Sequence, residues 1–541
     1  MARCAQQRAN PSFIADLLRL FLHWKFLHQY VKRLPIFNLF KTKFYMKYSI
    51  ALCLGLLSVT AIFAQTEKEK VIETVNKSTI EGHIYFLADD LLKGRETGTP
   101  ENKIAASYLA NTLRASGVKP NPKTGSYYQE FQLRKVIPPT SMVLTLNNFT
   151  YKNIVAIKPA SIAFKGESLF LGYGMEEDYK DVDVRGKLVV VKGGSSETKD
   201  ARGAFGLRNE KLKLASEAGA KGLVEFMDVD ENTWGFIDHN FNAPKLETIG
   251  GELENTDSKK VQDLSYIWVR DSKQLYANKL VRNTPMIARF GVSGAKQERV
   301  TTQNVIGVIE GTDPVLKDEY IIYSAHYDHV GIGAPDETGD VIYNGARDNA
   351  IGTTTVLSMA QNLAKYPTKR SALFILFTGE EKGLLGSKHY VENPVLPLNQ
   401  MVFCFNSDNA GYNDTSLATI IGLPRTTAAQ NIKDGVRAFG LEAIDDPAPE
   451  QGLFDRSDNV HFAAKGIPAP TFSLGFTAFN GDVTKYYHRP GDHADNLDYN
   501  YLEKFFRAYV MTGRMIANDD ETPFWTKGDK YEAVGKKLYN K

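Results

Sequence analysis

The sequence is poor in cysteine, with only three in 541 residues: Cys4, Cys53 and Cys404. Two of the three fall within the first 64 residues, and Cys404 lies in an apolar run that is typical of a buried strand. A lone cysteine forms no intrachain disulfide, so we expect Cys404 to be a small core residue. The scarcity of cysteine excludes a disulfide-stabilised fold and a metal site built from thiolates.

The sequence also lacks an excess of basic charge once its N-terminal region is set aside. The first 64 residues carry nine Lys or Arg and one Asp, which leaves 56 basic and 62 acidic residues in the remainder, a net charge of −6. A nucleic-acid-binding domain usually shows the opposite balance. We therefore expect no nucleic-acid partner.

No internal repeat or low-complexity tract stands out in the sequence. The composition is that of an ordinary globular protein, with 43% hydrophobic, 24% charged and 11% aromatic residues. A chain of 541 residues is longer than one core supports, so two domains plus extensions are expected.

Residues 46–64 have the three parts of a secretory signal peptide: a start at Met46 followed by a lysine, an apolar centre over Tyr48–Phe63, and Ala64 before the expected cleavage point. The apolar centre is short for a membrane span, although an uncleaved anchor is the alternative. Residues 1–45 fit an over-extended reading frame. The sequence thus predicts an exported protein, periplasmic or extracellular, with no stable membrane span after cleavage.

The sequence pattern of the chain changes twice after the leader, which predicts three segments. Residues 65–141 are mainly helical, residues 142–295 contain short β-rich runs between glycine and acidic turns, and residues 296–541 alternate strands with helices. Within the middle segment, Gly186–Gly194 and Lys211–Gly222 resemble a protease-associated domain. That resemblance implies a non-catalytic lid or substrate-selecting module inserted into a domain formed by the other two segments.

The alternation after Thr301 predicts an α/β domain with a mixed, largely parallel sheet flanked by helices. Predicted strands are Asn304–Ile309, Glu319–Ser324, Ala372–Thr378, Met401–Asn406 and Pro470–Leu474. Predicted helices are Asn349–Ala364, Gly386–Glu392, Thr426–Phe439 and Ser457–Ala464. Open sheets of this kind place their sites beyond the carboxyl ends of the strands.

Polar side chains follow several of these strands. They are His326 and Asp328, then Asp348, then Glu380 and Glu381, then Asp408, and late in the chain Tyr487 and His488. Taken singly, the acidic residues also fit helix caps or turns, and the late histidine also fits the surface. Taken together, two histidines and several carboxylates match the nitrogen and oxygen ligands of zinc or another divalent cation. So high an acidic count suits two cations that share a bridging carboxylate and a water.

The order of these motifs makes the resemblance specific. The motifs His326-x-Asp328, Asp348-Asn-Ala-x-Gly352, Gly379-Glu-Glu-x-Gly-x-x-Gly386, Asp408 and His488 resemble the zinc-dependent exopeptidase family of aminopeptidase Y and glutamate carboxypeptidase (metallopeptidase family twenty-eight). The likeness covers about residues 72–140 and 300–520. It implies two zinc ions per chain, with His326 and Asp408 on one, Glu381 and His488 on the other, and Asp348 between them.

The same resemblance implies three catalytic roles. Asp328 would orient His326 by a hydrogen bond. Glu380 would be the general base that activates the bridging water and then passes the proton to the leaving amine. Tyr487 would donate to the oxyanion, with a packing role as the alternative.

Further polar residues near the motifs have no matching ligand position. We interpret His329, His389, His461 and His493 as structural or surface residues. Asp458 fits either the wall of a pocket or the start of a helix.

The sequence therefore predicts an exported di-zinc exopeptidase that acts on peptides, with an aminopeptidase as the leading hypothesis. A carboxypeptidase of the glutamate-releasing type is the main alternative, and Arg347 and Arg456 could then grip a terminal carboxylate. A glutaminyl cyclase with one zinc and an inactive receptor-like member of the fold are further alternatives.

Overall fold

The structure is a computed structural model that describes residues 65–198, 200–249 and 264–541. The predicted signal peptide at 46–64 and the residues before it lie outside this part of the chain. Residues Glu67–Lys541 form one compact unit. None of the helices in the described ranges is both long enough and apolar enough to cross a membrane.

The β-strands form two large sheets and one small hairpin. In chain order the strands are β1 (Lys119–Pro120), β2 (Tyr128–Ile137), β3 (Ser141–Leu146), β4 (Phe149–Tyr151), β5 (Ile154–Lys158), β6 (Ile162–Phe170), β7 (Leu188–Lys192), β8 (Gly222–Met227), β9 (Lys245–Thr248), β10 (Ser265–Arg270), β11 (Met286–Ser293), β12 (Lys296–Ile309), β13 (Tyr320–His326), β14 (Gly331–Ile332), β15 (Ile342–Tyr343), β16 (Ser371–Phe377), β17 (Met401–Ser407), β18 (Leu417–Ile421), β19 (Glu442–Ile444) and β20 (Thr471–Leu474).

The α-helices flank these sheets. They are α1 (Glu67–Thr74), α2 (Lys77–Leu87), α3 (Pro100–Ala115), α4 (Ala201–Glu217), α5 (Glu231–Phe241), α6 (Gly352–Lys365), α7 (Leu385–Glu392), α8 (Ala429–Arg437), α9 (Asn459–Ala464), α10 (Tyr499–Asn518) and α11 (Glu532–Tyr539).

The larger sheet runs in the order β19-β18-β20-β17-β13-β16-β12-β2-β9, with β1 paired to β12. The central strands β20, β17, β13 and β16 are parallel, and both flanks are antiparallel except for the pair β18-β19. Strands β16 and β17 are buried along their whole length, which explains their continuous apolar sequences. The prediction of a mixed α/β sheet flanked by helices is confirmed.

Two apolar cores cover the faces of this sheet. One contains residues of α2, α3, α6 and α10, and the other contains residues of α7 and α9. Cys404 is a free, buried member of the second core, as its apolar surroundings in the sequence predict. The sheet is therefore held rigidly from both sides, and its strand ends form a fixed platform for side chains.

The second sheet is built from residues 141–293 in the order β4-β3-β11-β6-β7-β8-β10-β5. Its two faces have separate apolar cores, one of which includes Ala204 of α4 and Trp234 of α5. Strand β9 lies between β8 and β10 in the chain but pairs with β2 of the larger sheet. This pairing covers an edge of the larger sheet that would otherwise leave its backbone groups unpaired.

Candidate metal centre

Charged side chains gather where the parallel strands of the larger sheet end. His326 is the last residue of β13, Glu380 and Glu381 follow β16, and Asp408 follows β17. Because β13 is parallel to both β16 and β17, the carboxyl ends of these three strands lie at one edge. Neighbouring strands are about 4.8 Å apart, so side chains at these ends converge.

Asp348 reaches the same edge from the loop between β15 and α6. Gly345 opens this loop with φ 62°, and a Cβ there would meet the backbone oxygen of Asp348 at 2.3 Å. Asp348 does not cap α6, because the Gly352 amide donates to the Asn349 side chain at 3.0 Å. The carboxylate of Asp348 is thereby left to face the site, where the residue is 4% exposed.

Three side chains meet at the first end of the site, each through one nitrogen or oxygen atom. His326 Nε2 lies 3.3 Å from Asp348 Oδ1 and 3.3 Å from Asp408 Oδ1. Glu380 Oε2 is farther away, at 4.0 Å from the same nitrogen. The arrangement groups His326, Asp348 and Asp408 around one point, with Glu380 beside it.

The second oxygen of Asp348 belongs to another group. His488 Nε2 lies 3.1 Å from Asp348 Oδ2 and 3.0 Å from Glu381 Oε2. Despite these distances, no group in the described ranges forms a hydrogen bond with this buried nitrogen. Atoms that point at a common centre rather than at each other show this geometry. Asp348 thus joins the two groups through its two oxygens.

The donor set and its spacing fit two zinc ions. Zinc bonds of about 2.0–2.1 Å in a tetrahedral arrangement place neighbouring ligand atoms about 3.3 Å apart. The four distances that link His326 or His488 to Asp348, Glu381 and Asp408 are 3.0–3.3 Å. The nitrogen and oxygen donors are those that zinc accepts.

Asp328 lies behind His326 and supports the loop after β16. Its carboxylate accepts hydrogen bonds from the Thr97 hydroxyl at 2.8 Å and from the backbone amides of Glu380 at 3.2 Å and Glu381 at 3.4 Å. His326 Nδ1 is 3.2 Å from the backbone oxygen of Asp328 and 3.8 Å from its carboxylate. The hydrogen bond that orients the ring therefore goes to the backbone oxygen, and the carboxylate fixes the two glutamates.

Arg95 holds the loops of the site together through hydrogen bonds to their backbone oxygens. Its side chain is fully buried and donates to the backbone oxygens of Leu87, Tyr327, Asn344, Gly345 and Asp348. These oxygens belong to α2, to the segment after β13 and to the loop before α6. Although burial lowers the pKa of Arg95 to about 10, the guanidinium stays charged at neutral pH. The sequence analysis did not single out this residue.

The site carries a surplus of negative charge. Five buried or nearly buried carboxylates, those of Asp328, Asp348, Glu380, Glu381 and Asp408, lie beside one guanidinium, that of Arg95, and the imidazoles of His326 and His488. Arg347 is already paired with Asp492 at 2.9 Å. Charges removed from water need compensation nearby, so the cluster attracts cations.

The pKa values of the site show the same imbalance. Burial lowers the pKa of His326, but the charges of Glu380 and Asp408 outweigh burial and raise that pKa well above its ordinary value. Burial also lowers the pKa of His488, and its contacts with Asp348 and Glu381 raise that pKa to about 10. Burial, with the charges of Asp408 and Glu381, raises the pKa of Glu380 well above its usual range.

Tyr487 lines a cavity that also contains His326, Asp348, Glu380 and Asp408. Its ring stacks on that of His488 at a centroid distance of 4.0 Å. The stacking agrees with the packing role that was considered for this residue, and the position at the cavity wall leaves the role at the oxyanion a prediction.

His329 lies in the site although it was not among the predicted site residues. It was expected to be a structural or surface residue, but it is fully buried, with Nδ1 2.7 Å from Glu381 Oε1 and 3.9 Å from Asp348 Oδ2. The other three histidines of that prediction lie elsewhere: His389 stacks on Phe131, His461 contacts Ser387, and His493 faces Asp340 at 3.6 Å.

Asp458 is a buried carboxylate for which the sequence left two roles open, in the wall of a pocket or at the start of a helix. It precedes α9, but its side chain makes no capping hydrogen bond, and within the described residues both of its oxygens lack hydrogen-bond partners. Burial raises its pKa to about 7. The alternative of a helix-capping role is therefore not what the structure shows.

Comparison with known proteins adds the following. Residues 304–512 match the sequence model of Peptidase family M28. Aminopeptidase YwaD of Bacillus subtilis is 30% identical over 343 residues, covering 62% of this chain and 63% of that protein. The probable leucine aminopeptidase 2 of Aspergillus oryzae is 25% identical over 366 residues, covering 64% of this chain and 65% of that protein. In both comparisons the chain spans less than two thirds of the relative.

A solved structure shares the fold over most of the chain. The aminopeptidase from Aneurinibacillus sp. strain AM-1 superposes with a TM-score of 0.57 at 21% sequence identity, covering 84% of this chain and 97% of that structure. At this level of identity the likeness concerns the fold alone. The family match, over residues 304–512, includes the strand ends that carry the charged cluster.

Proposed function

Because residues 304–512 of this chain match Peptidase family M28, we propose that it is a di-zinc aminopeptidase that removes N-terminal residues from peptides. One observation carries the proposal: two groups of imidazole and carboxylate donors joined by the two oxygens of Asp348. His326, Asp348 and Asp408 would hold one zinc, and Asp348, Glu381 and His488 would hold the other. Bound zinc polarises the scissile carbonyl and stabilises the negative charge that develops on its oxygen.

Glu380 is the proposed general base. It lines the cavity together with the donors of the first group, and its Oε2 is 4.0 Å from His326 Nε2. A carboxylate beside the ligands, rather than among them, is free to accept a proton from the attacking water. It then passes that proton to the leaving amine. The backbone amides held by Asp328 fix where this carboxylate stands.

The cavity supports an aminopeptidase with a preference for apolar N-terminal residues. Its wall beside the charged cluster includes Ile421, Leu453, Phe476 and Phe479. A wall of this composition favours an apolar side chain by the area it removes from water, about 25 cal/mol for each Å². The name of the Aspergillus oryzae relative, a probable leucine aminopeptidase, fits the same preference.

A carboxypeptidase is the second candidate, because one arginine of the cavity makes no ion pair with any residue that the structure describes. Arg456 lines the cavity and lies 5.9 Å from the ring of Phe479, yet within the described residues its side chain makes no ion pair. A terminal carboxylate of a substrate would suit it. Arg347 does not support this candidate, since its guanidinium is bound to Asp492 and Asn496.

We also propose that the sheet of residues 141–293 is a protease-associated module that limits access to the site, and that residues 46–64 direct export. The module has its own two cores. N-terminal sequencing of secreted protein would test the second part: a chain that begins near Gln65 supports export, and an intact Met1 contradicts it.

A panel of peptides tests the activity. Aminoacyl anilides with a free N-terminus and N-acetylated peptides are incubated with the protein in the presence of zinc or of a chelator. We expect cleavage of the free aminoacyl substrates, best with leucine or phenylalanine, and loss of cleavage with the chelator.

Other outcomes would replace the proposal. Release of C-terminal residues from N-acetylated peptides, lost in Arg456→Ala, would support the carboxypeptidase. Cyclisation of N-terminal glutamine would identify a glutaminyl cyclase, and no reaction with any substrate would favour an inactive member.

A further inference from the structure

His329 is buried against a proposed metal ligand but is not spaced as a ligand itself. Its Nδ1 is 2.7 Å from Glu381 Oε1, whereas the contacts of His326 and His488 with the carboxylates measure 3.0–3.3 Å. Two ligands of one tetrahedral zinc lie about 3.3 Å apart. A separation of 2.7 Å is instead that of a charge-assisted hydrogen bond.

The two oxygens of Glu381 therefore have different neighbours. Oε1 contacts His329 at 2.7 Å, and Oε2 lies 3.0 Å from His488 Nε2. A carboxylate held through one oxygen presents the other in a fixed direction. Loss of a group that fixes a ligand in this way typically weakens metal binding by about 10–100-fold.

The packing around His329 fixes its ring. The residue is fully buried, and a Cβ on Gly345 would meet the His329 ring at 2.5 Å. Its Nε2 has no hydrogen-bond partner among the described residues. When the ring carries its proton on Nδ1, that N–H donates to Glu381. The unprotonated Nε2 is then the nitrogen that has no partner.

We propose that His329 is a positioning residue for Glu381: its Nδ1–H donates to Oε1 and directs Oε2 toward the cation shared with His488 and Asp348. This inference rests on the proposed metal centre. It adds a residue that the ligand motifs do not include, and it predicts that the two cations depend on His329 unequally.

Substitutions of His329 distinguish a hydrogen-bond donor to Glu381 from a metal ligand. Asparagine places an amide N–H close to where Nδ1 stands, glutamine places it where Nε2 stands, and leucine keeps bulk without a donor. His389, which stacks on Phe131 away from the site, is the matched control as His389→Leu. Each variant is purified in full length and stripped of metal, and its fold is checked by circular dichroism.

Zinc is then titrated into each protein against a chromophoric chelator, and cobalt spectra report the ligand geometry. We expect His329→Leu to weaken one of the two cations by about 10–100-fold and to leave the other unchanged. His329→Asn should bind both like the unchanged protein, and His329→Gln should resemble His329→Leu. His389→Leu should change nothing.

Two results would overturn the inference. Unchanged affinity for both cations in His329→Leu would show that Glu381 needs no partner, and equal loss in His329→Asn and His329→Leu would show that His329 is itself a ligand. If the leucine variant does not fold, the comparison of asparagine with glutamine decides the same question. Failure of the unchanged protein to bind any cation would instead refute the proposed metal centre.

Discussion

Two regions of this molecule bury charged side chains, and they balance those charges differently. In the smaller sheet, Lys211 and Glu225 are both fully buried and form an ion pair. Glu225 also accepts hydrogen bonds from the Gly194 amide, the Trp268 indole and the Tyr266 hydroxyl, and Lys211 donates to the Lys192 backbone oxygen at 2.9 Å. One positive charge meets one negative charge, and both oxygens of Glu225 have hydrogen-bond partners.

The strand ends of the larger sheet show no such balance. Five carboxylates gather there, and the nearby buried guanidinium of Arg95 donates only to backbone oxygens. A folded protein tolerates this surplus when something positive completes it. The cluster that closes on itself is structural, whereas the one that does not is the proposed binding site.

The largest expected effect comes from removing one carboxylate of the charged cluster at the strand ends. Glu380→Gln takes a charge from the cluster that has too many, so the fold and the bound cations should remain. The rate should fall about 10²–10⁴-fold, because the proton acceptor is lost. Measurement of kcat beside the metal content of the purified variant checks this.

Glu225→Gln is the matched control for that change. It also replaces a buried glutamate with its amide, but in the smaller sheet and outside the cavity lining, and its kcat per folded molecule should equal that of the unchanged protein. A Glu380→Gln variant with full activity would take Glu380 out of the proposed reaction.

The second effect concerns stability. Glu225→Gln leaves the ammonium of Lys211 buried without its counter-charge, which should lower the free energy of unfolding by about 3–5 kcal/mol. Urea unfolding measures the loss. The double variant Lys211→Met with Glu225→Gln removes both charges and should lose less than Glu225→Gln alone. If the double variant loses as much free energy of unfolding as Glu225→Gln and Lys211→Met lose together when each is measured alone, the pair is not coupled.

Arg95→Lys should have a smaller effect. A lysine carries its donors at one point and cannot reach the same set of backbone oxygens, so we expect a loss of about 1.5–3 kcal/mol. Thermal unfolding with saturating zinc measures it. Arg185→Lys, at a side chain that is 80% exposed, is the control and should leave the midpoint unchanged. Equal midpoints for Arg95→Lys and the control would mean that the guanidinium fork is dispensable.

An exposed ion pair should matter least. Lys530 and Asp455 are paired at 2.9 Å, but both side chains are 52% exposed. Lys530→Ala should cost less than about 1 kcal/mol of the free energy of unfolding, because water already solvates both charges. A loss as large as that of Glu225→Gln would show that burial is not what distinguishes these pairs.

Three residues of the site were predictable because each lies at or just after the end of an apolar strand. His326, Glu380 and Asp408 come directly after apolar strands, and parallel strands bring their ends to one edge. Asp348 and His488 lie in loops, and they joined the set through the order of the motifs rather than through any local pattern.

His329 was missed because the rule of alternation fails where a strand ends. A residue three positions after His326 would point to the opposite face of an extended strand. Strand β13 ends at His326, and the turn that follows returns His329 to the site. Arg95 and the pairing of β9 with β2 could not be predicted either, since most of their contacts join parts of the chain that are more than 100 residues apart.

The most direct test of the central claim is the number of divalent cations that one chain binds. Protein stripped of metal is titrated with zinc against a competing chelator, with Asp348→Asn measured in parallel. We predict two zinc ions per chain, and weaker binding of both in the Asp348→Asn variant, because that side chain faces both groups through its two oxygens. A chain that binds one zinc or none would contradict the account.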